Sequence, residues 1–140
     1  MNLSKNVKVV LAKAAQASGG TAVTTSVIDT QGFEGVVFFG SIGTANAGNF
    51  AKVQQGQKSD LSDAADLAGT KVVPGDDGDS FLIDIYKPRE RYLRVYIDRS
   101  GANTATGDVY AILYEPRKAP VTHGATIDAE LHVSPDEGTA

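Results

Sequence analysis

The sequence predicts an all-β fold: a jelly-roll-like antiparallel β-sandwich with at most one short helix. Three observations lead there. The chain holds 14 Val, 7 Ile, 11 Thr, 5 Tyr and 5 Phe against 8 Leu and 1 Met, and β-branched and aromatic side chains fit a pleated, half-buried surface. Its 15 Gly and 5 Pro break the chain into eight or nine short runs, as in a sandwich or barrel. In Tyr92–Asp98, Leu93, Val95 and Ile97 alternate with Tyr92, Arg94 and Tyr96, the period of a strand with one face in a core. A jelly roll fits that strand count.

In chain order, Val7, Val9 and Leu11 alternate, so residues 7–13 read as a strand, although the Ala-rich stretch after them suits a helix. A second strand is expected over Thr21–Asp29, ending at Thr30-Gln31-Gly32. Gly35–Ile42 (GVVFFGSI) is apolar on both faces, which predicts a strand buried in the sandwich interior. Phe50–Gln57 is a less apolar fourth strand. Ser59–Gly69 is the best helical stretch: Ser59 or Asp60 can cap it, Leu61, Ala64, Ala65 and Ala68 recur at helical spacing, and Gly69 stops it. Lys71–Val73 is a minor strand before the turn Pro74–Gly78. Ser80–Tyr86, Tyr92–Asp98 and Asp108–Glu115 follow as strands, with a last one near Ile127–Val133.

A chain of 140 residues is about one domain by length and can bury a core. No linker, repeat or low-complexity block divides it, so 1–140 reads as one sandwich domain, with arms at 1–6 and 134–140. Without Cys there is no disulfide, thiolate metal site or cysteine nucleophile. No window approaches the 18 apolar residues of a membrane span, and Lys13 interrupts what would be the core of a signal peptide. A net charge of −4 argues against nucleic acid as a direct partner. The charge is uneven: residues 60–84 are strongly acidic and 87–118 are basic. These are either two solvated surfaces or complementary patches between neighbouring molecules.

Catalytic signals are absent. His123 and His132 sit in a stretch of ordinary surface composition. No G-x-S-x-G elbow supplies a nucleophile, and the spacing of the two histidines matches no zinc pattern. Asp76-Asp77-Gly78-Asp79 is not an EF-hand, because its acids are adjacent and Lys87 stands at the twelfth position. A loose calcium site with Asp60 or Asp63 is the alternative to a plain acidic turn. Gly32–Gly35 and Gly40–Gly43 lack the ending of a P-loop. No enzyme activity, cofactor or metal is expected.

The most informative stretch is Tyr86–Asp98 (YKPRERYLRVYID). Tyr86, Tyr92, Arg94 and Tyr96 can lie on one exposed face, with Arg89 and Arg91 beside them. Tyr and Arg are enriched at interface hot spots, so Tyr86, Arg89, Arg91, Tyr92, Arg94 and Tyr96 form the candidate interface. The competing reading is that Arg89, Arg91 and Arg94 pair internally with Asp84, Glu90 and Asp98.

At these residues a resemblance appears. Gln54-Gln55-Gly56-Gln57-Lys58-Ser59-Asp60 is followed by an acidic loop and by Arg91-Tyr92-Leu93-Arg94-Val95. Next come a Gly/Ala/Asn/Thr loop (Ser100–Gly107), Val109–Tyr114 and Pro116-Arg117-Lys118-Ala119-Pro120. This order, over residues 7–121, resembles the capsid decoration (cement) proteins of tailed bacteriophages. The resemblance implies a jelly-roll-like sandwich that self-associates as a homodimer on the outer surface of the virion head. Its implied partner is a major capsid protein of HK97-like fold, and it carries over no catalytic residue. An unpaired edge strand such as 7–13 is then a place for a neighbour to pair. The alternative function is a carbohydrate-binding jelly roll in which Tyr86, Tyr92 and Tyr96 stack on a sugar, although the chain has no Trp. A small trimeric hydrolase is disfavoured, because the Gly-rich arm that such enzymes need at the C-terminus is missing.

Overall fold

A computed structural model describes all 140 residues. The chain forms a one-turn helix, α1 (Leu3–Asn6), and eleven strands: β1 (Lys8–Lys13), β2 (Gln16–Gly19), β3 (Val23–Thr24), β4 (Ile28–Asp29), β5 (Phe33–Ser41), β6 (Asn49–Gly56), β7 (Ala65–Asp66), β8 (Ser80–Tyr86), β9 (Tyr92–Arg99), β10 (Thr104–Thr106) and β11 (Val109–Pro116). One sheet runs β1-β11-β5-β8. A second runs β3-β9-β6-β7, with β4 also on β9, and β2 pairs with β10.

The topology is that of a jelly roll. Four strand pairs form as in one long folded ribbon: β1 with β11, β3 and β4 with β9, β5 with β8, and β6 with β7. Rolling that ribbon then sets β11 beside β5 and β9 beside β6. All pairings are antiparallel, and the sheets enclose one core. Val36, Phe38, Val53, Leu93, Val95, Ile97, Val109 and Ala111 are fully buried in it. Each alternates with residues facing outward, as the pleat requires.

Several expectations change. Ser59–Gly69 is not a helix. Asp60 and Asp63 accept hydrogen bonds from Ser62 N–H and from Gln57 and Lys58 N–H, which holds the backbone in turns. Leu61 adopts φ +53° with its side chain buried, and Ala65–Asp66 pairs with Gln54–Gln55 as β7. The single short helix is α1 instead, inside the segment read as an N-terminal arm. Residues 21–29 are split into β3 and β4 by a break at Thr25–Val27, and 127–133 forms no strand. The loop expected at 100–107 contributes β10. At 71–73, only Val72 makes a bridge, to Ala51.

Arg99 is buried without an acid beside it. Its Nε donates to Thr21 O at 2.6 Å and its Nη1 to Ala17 O at 2.9 Å and Thr104 O at 2.8 Å. Carbonyl acceptors satisfy the guanidinium and bind β2 and β10 to the end of β9. Asn49, fully buried, does the same at the start of β6. Its Nδ2 donates to Thr44 O and Ala102 O, and its Oδ1 accepts from Ala102 N–H.

Candidate functional site

The residues proposed as one interface fall on different surfaces. β8 belongs to the first sheet and β9 to the second, and both turn their aliphatic residues inward. Tyr86 therefore faces one side of the sandwich while Tyr92, Arg94 and Tyr96 face the other. The reading that put all four on one face is corrected by this sheet assignment.

On the outer face of the second sheet the polar side chains are tied to one another. Arg94 Nε donates to Gln54 Oε1 at 2.8 Å, Gln54 Nε2 donates to Asp66 Oδ1 at 2.9 Å, and Lys52 Nζ reaches Asp66 Oδ2 at 2.6 Å. Lys52 Nζ also stands 4.9 Å from the Tyr96 ring centre, and the Arg91 guanidinium 5.0 Å from that of Tyr92. The Lys52 and Gln54 hydrogen bonds hold the Asp66 carboxyl below its usual range. Internal pairing thus occurs, but with Gln54 and Asp29 as partners rather than Asp84, Glu90 or Asp98. Arg91 grips Asp29 with two bonds of 2.8 Å, which lowers the Asp29 carboxyl and raises the guanidinium.

Arg89 and Arg91 lie instead at the end of the sandwich where β4–β5 and β8–β9 turn. There Thr30–Glu34, Lys87–Arg91 and Arg117 line an open cleft of about 480 Å³. It is polar, with four cations against Glu34 and Glu90. Arg117 Nε is 3.7 Å from Glu34 Oε1. At the opposite end, Asp77 and Asp79 accept from Ala45 and Asp76 N–H. No group of three His, Asp or Glu side chains converges as a metal site would require.

The outer face of the first sheet was missed. Register sets three rows across its strands: Leu11–Tyr110–Phe39–Leu82, Val9–Ile112–Val37–Asp84, and Tyr114–Gly35–Tyr86. Their only charged residue is Asp84, which accepts the Tyr114 O–H at 2.6 Å. Burial and that carboxylate push the Tyr114 phenol well above the usual tyrosine range. Phe39 stacks on Tyr110 at 5.3 Å, and Tyr86 on Tyr114 at 6.4 Å. Gly35 lies under the Tyr114 ring, where any Cβ would collide with it. Leu82 and Tyr86 are 65% and 56% exposed, so this face has no second layer. The signal was in the sequence: Gly35–Ile42 and Val109–Tyr114 are apolar at nearly every position, but that pattern also describes a strand buried on both faces.

The expected free edge at β1 is covered at Val9, while Leu11, the next residue whose backbone faces that edge, has no backbone partner there. Val121 N–H donates to Lys5 O and Gly124 N–H to Val9 O, while Val9 N–H donates to His123 Nδ1 at 3.0 Å. Residues 121–124 thus form a strap along α1 and the start of β1, with His123 Nδ1 among its acceptors. No protein-family model matches the chain, and no curated protein matches it.

Proposed function

We propose that this protein is a non-catalytic assembly component, a capsid decoration protein that cements the head of a tailed bacteriophage. The observation that supports this reading best is the uncovered outer face of the β1-β11-β5-β8 sheet, whose aromatic and aliphatic rows hold one charged residue, Asp84, with Lys87 and Asp108 at their margins. Charge depletion with Tyr and Phe enrichment is the composition of an interface core. The residue order that resembles the cement family supports the same reading, and so does the jelly-roll topology.

The physical role follows from multivalency. A clamp that touches two neighbouring HK97-like capsid subunits binds tightly even if each contact is weak, because the second contact forms at high effective concentration. Binding the assembled lattice in preference to free subunits stabilises the lattice by mass action. The site of action is the outer surface of the virion, and a homodimer doubles the points of attachment.

The test is co-sedimentation with expanded, undecorated phage heads, followed by heat or osmotic challenge. Saturable binding in fixed ratio to the capsid subunit, with raised rupture resistance, is the expected result. Absence of binding overturns the proposal. Carbohydrate binding is the second reading, favoured only by the polar cleft at Thr30–Arg91. Tyr92 and Tyr96 have cations over their rings and Tyr86 stacks on Tyr114, so they are poorly placed to stack on a sugar. A glycan array decides between the two.

A further inference from the structure

The sandwich leaves one strand-like segment without a partner. Ile127, Ala129, Leu131 and Val133 alternate with Asp128, Glu130 and His132, a period-two pattern over seven residues. Residues 128–140 are all exposed, Val133 at 94%. From Asp128 onward no backbone group is hydrogen-bonded within the chain. Glu130 Oε2 and His132 Nε2 meet at 2.8 Å, so these alternate side chains lie on the same side of the backbone.

The sandwich also leaves one long strand edge open. β8 pairs with β5 at every residue from Ser80 to Tyr86, and no segment hydrogen-bonds to its other side. Lys87 N–H donates to Glu34 O, and antiparallel alternation from that bond aims the N–H and C=O of Ser80, Leu82, Asp84 and Tyr86 at the open edge. Natural proteins usually shorten, charge or cover such an edge. Here β1 is strapped at Val9, while no segment hydrogen-bonds the outer edge of β8, where Leu82 is exposed.

Donor and acceptor cannot meet within one molecule while the strap is docked. Gly124 lies beyond β1, and the open position lies beyond β8, five strand spacings away, or about 24 Å. The three residues from Gly124 to Ile127 reach about 11 Å when fully extended.

We propose that Ile127–Val133 is a donor strand that adds to the β8 edge of a second copy of this chain, extending the β1-β11-β5-β8 sheet by a fifth strand. A register that sets Leu131 opposite Ile85 sets Val133 opposite Ile83 and His132 opposite Asp84. The aliphatic residues then continue the core face, and an imidazole meets the Asp84 carboxylate on the outer face. Reciprocal exchange closes a two-fold dimer, whereas one-way donation builds a chain. The proposal goes beyond the capsid reading and does not depend on it.

The experiment uses the full chain, a chain ending at Gly124, and a synthetic peptide of residues 125–140. The full chain associates in sedimentation velocity, and hydrogen exchange slows at 80–86 and 127–133 as concentration rises. The chain ending at Gly124 is monomeric and binds the peptide, with slowed exchange at 80–86. Leu131→Asp in the peptide weakens binding at least 10-fold, and this change cannot unfold the sandwich. Leu82→Pro, which removes an N–H aimed at the open edge and none from the β5 ladder, blocks the peptide while exchange along β5 stays slow. A peptide that fails to bind, binds equally well with Leu131→Asp, or protects amides other than β8 overturns the proposal.

Discussion

Single residues carry much of this sandwich where polar groups are buried. Arg99 and Asn49 each satisfy several backbone groups from different segments, so removing either side chain leaves carbonyls without donors. Arg99→Met is expected to cost about 3 kcal/mol in urea unfolding and to speed amide exchange first in β2 and β10. Unchanged exchange there would show that the carbonyl cage does not hold those strands. Gly35→Ala pushes a methyl group into the Tyr114 ring and should cost about 2 kcal/mol as overpacking. The acid limb also belongs to this scale. Asp29, Asp66 and Asp98 have carboxyls lowered in the folded state, chiefly by hydrogen bonds from Arg91, Lys52 and Ser100 respectively. Groups with depressed values stabilise the fold above the ordinary carboxylate value of 3.8 and lose that contribution as pH falls through the lowered ones. Stability should therefore hold from pH 7 to 5 as far as these groups are concerned, and decline below about pH 4. Asp29→Asn should flatten the decline only slightly, because the Arg91 pair is half exposed. An unaltered acid limb in that variant would remove Arg91–Asp29 from the account.

Among the elements, the central strands were legible because their alternation is strict. Residues 92–98 show it cleanly, and the structure adds only Arg99 to the strand. The stretch 59–69 was not legible, since Leu61, Ala64, Ala65 and Ala68 match a helix while Asp60 and Asp63 favour turns, and local pattern cannot weigh the two. What decided it was β6, whose outer edge needs a partner that Ala65–Asp66 supplies. Leu61 keeps a left-handed backbone because its side chain is buried over Gly56. Leu61→Ala is therefore expected to destabilise by about 2 kcal/mol and to free the 57–64 loop. If thermal unfolding of the variant matches the parent within about 0.5 kcal/mol, the loop is held by its Asp63 hydrogen bonds alone.

At the scale of the whole molecule, the two outer faces differ in kind. One is a network of bonded polar side chains and the other an apolar sheet, so a partner that must be held through desolvated area meets the second. Val37→Lys places a charge at the centre of that face without touching the core. On the proposed capsid reading it should abolish head binding while leaving the unfolding transition within about 0.5 kcal/mol. Binding through this face should change little between 0.1 and 0.5 M salt, since screening acts on exposed charges. A steep loss with salt would assign the contact to the basic cleft instead. Composition and period-two alternation by themselves determined that this chain is an all-β sandwich, and which residues of 92–98 enter the core, because those are local properties of a pleated strand. They also supplied the six candidate interface residues, though not their arrangement. Only the tertiary structure decided that Tyr86 and Tyr92 stand on opposite sides, that 121–124 straps the β1 edge at Val9, and that Val37 and Phe39 face outward rather than into a second core. Each of these depends on which strands become neighbours across the sheets. That pairing joins residues as far apart as Lys8 and Leu113, and no local pattern encodes it.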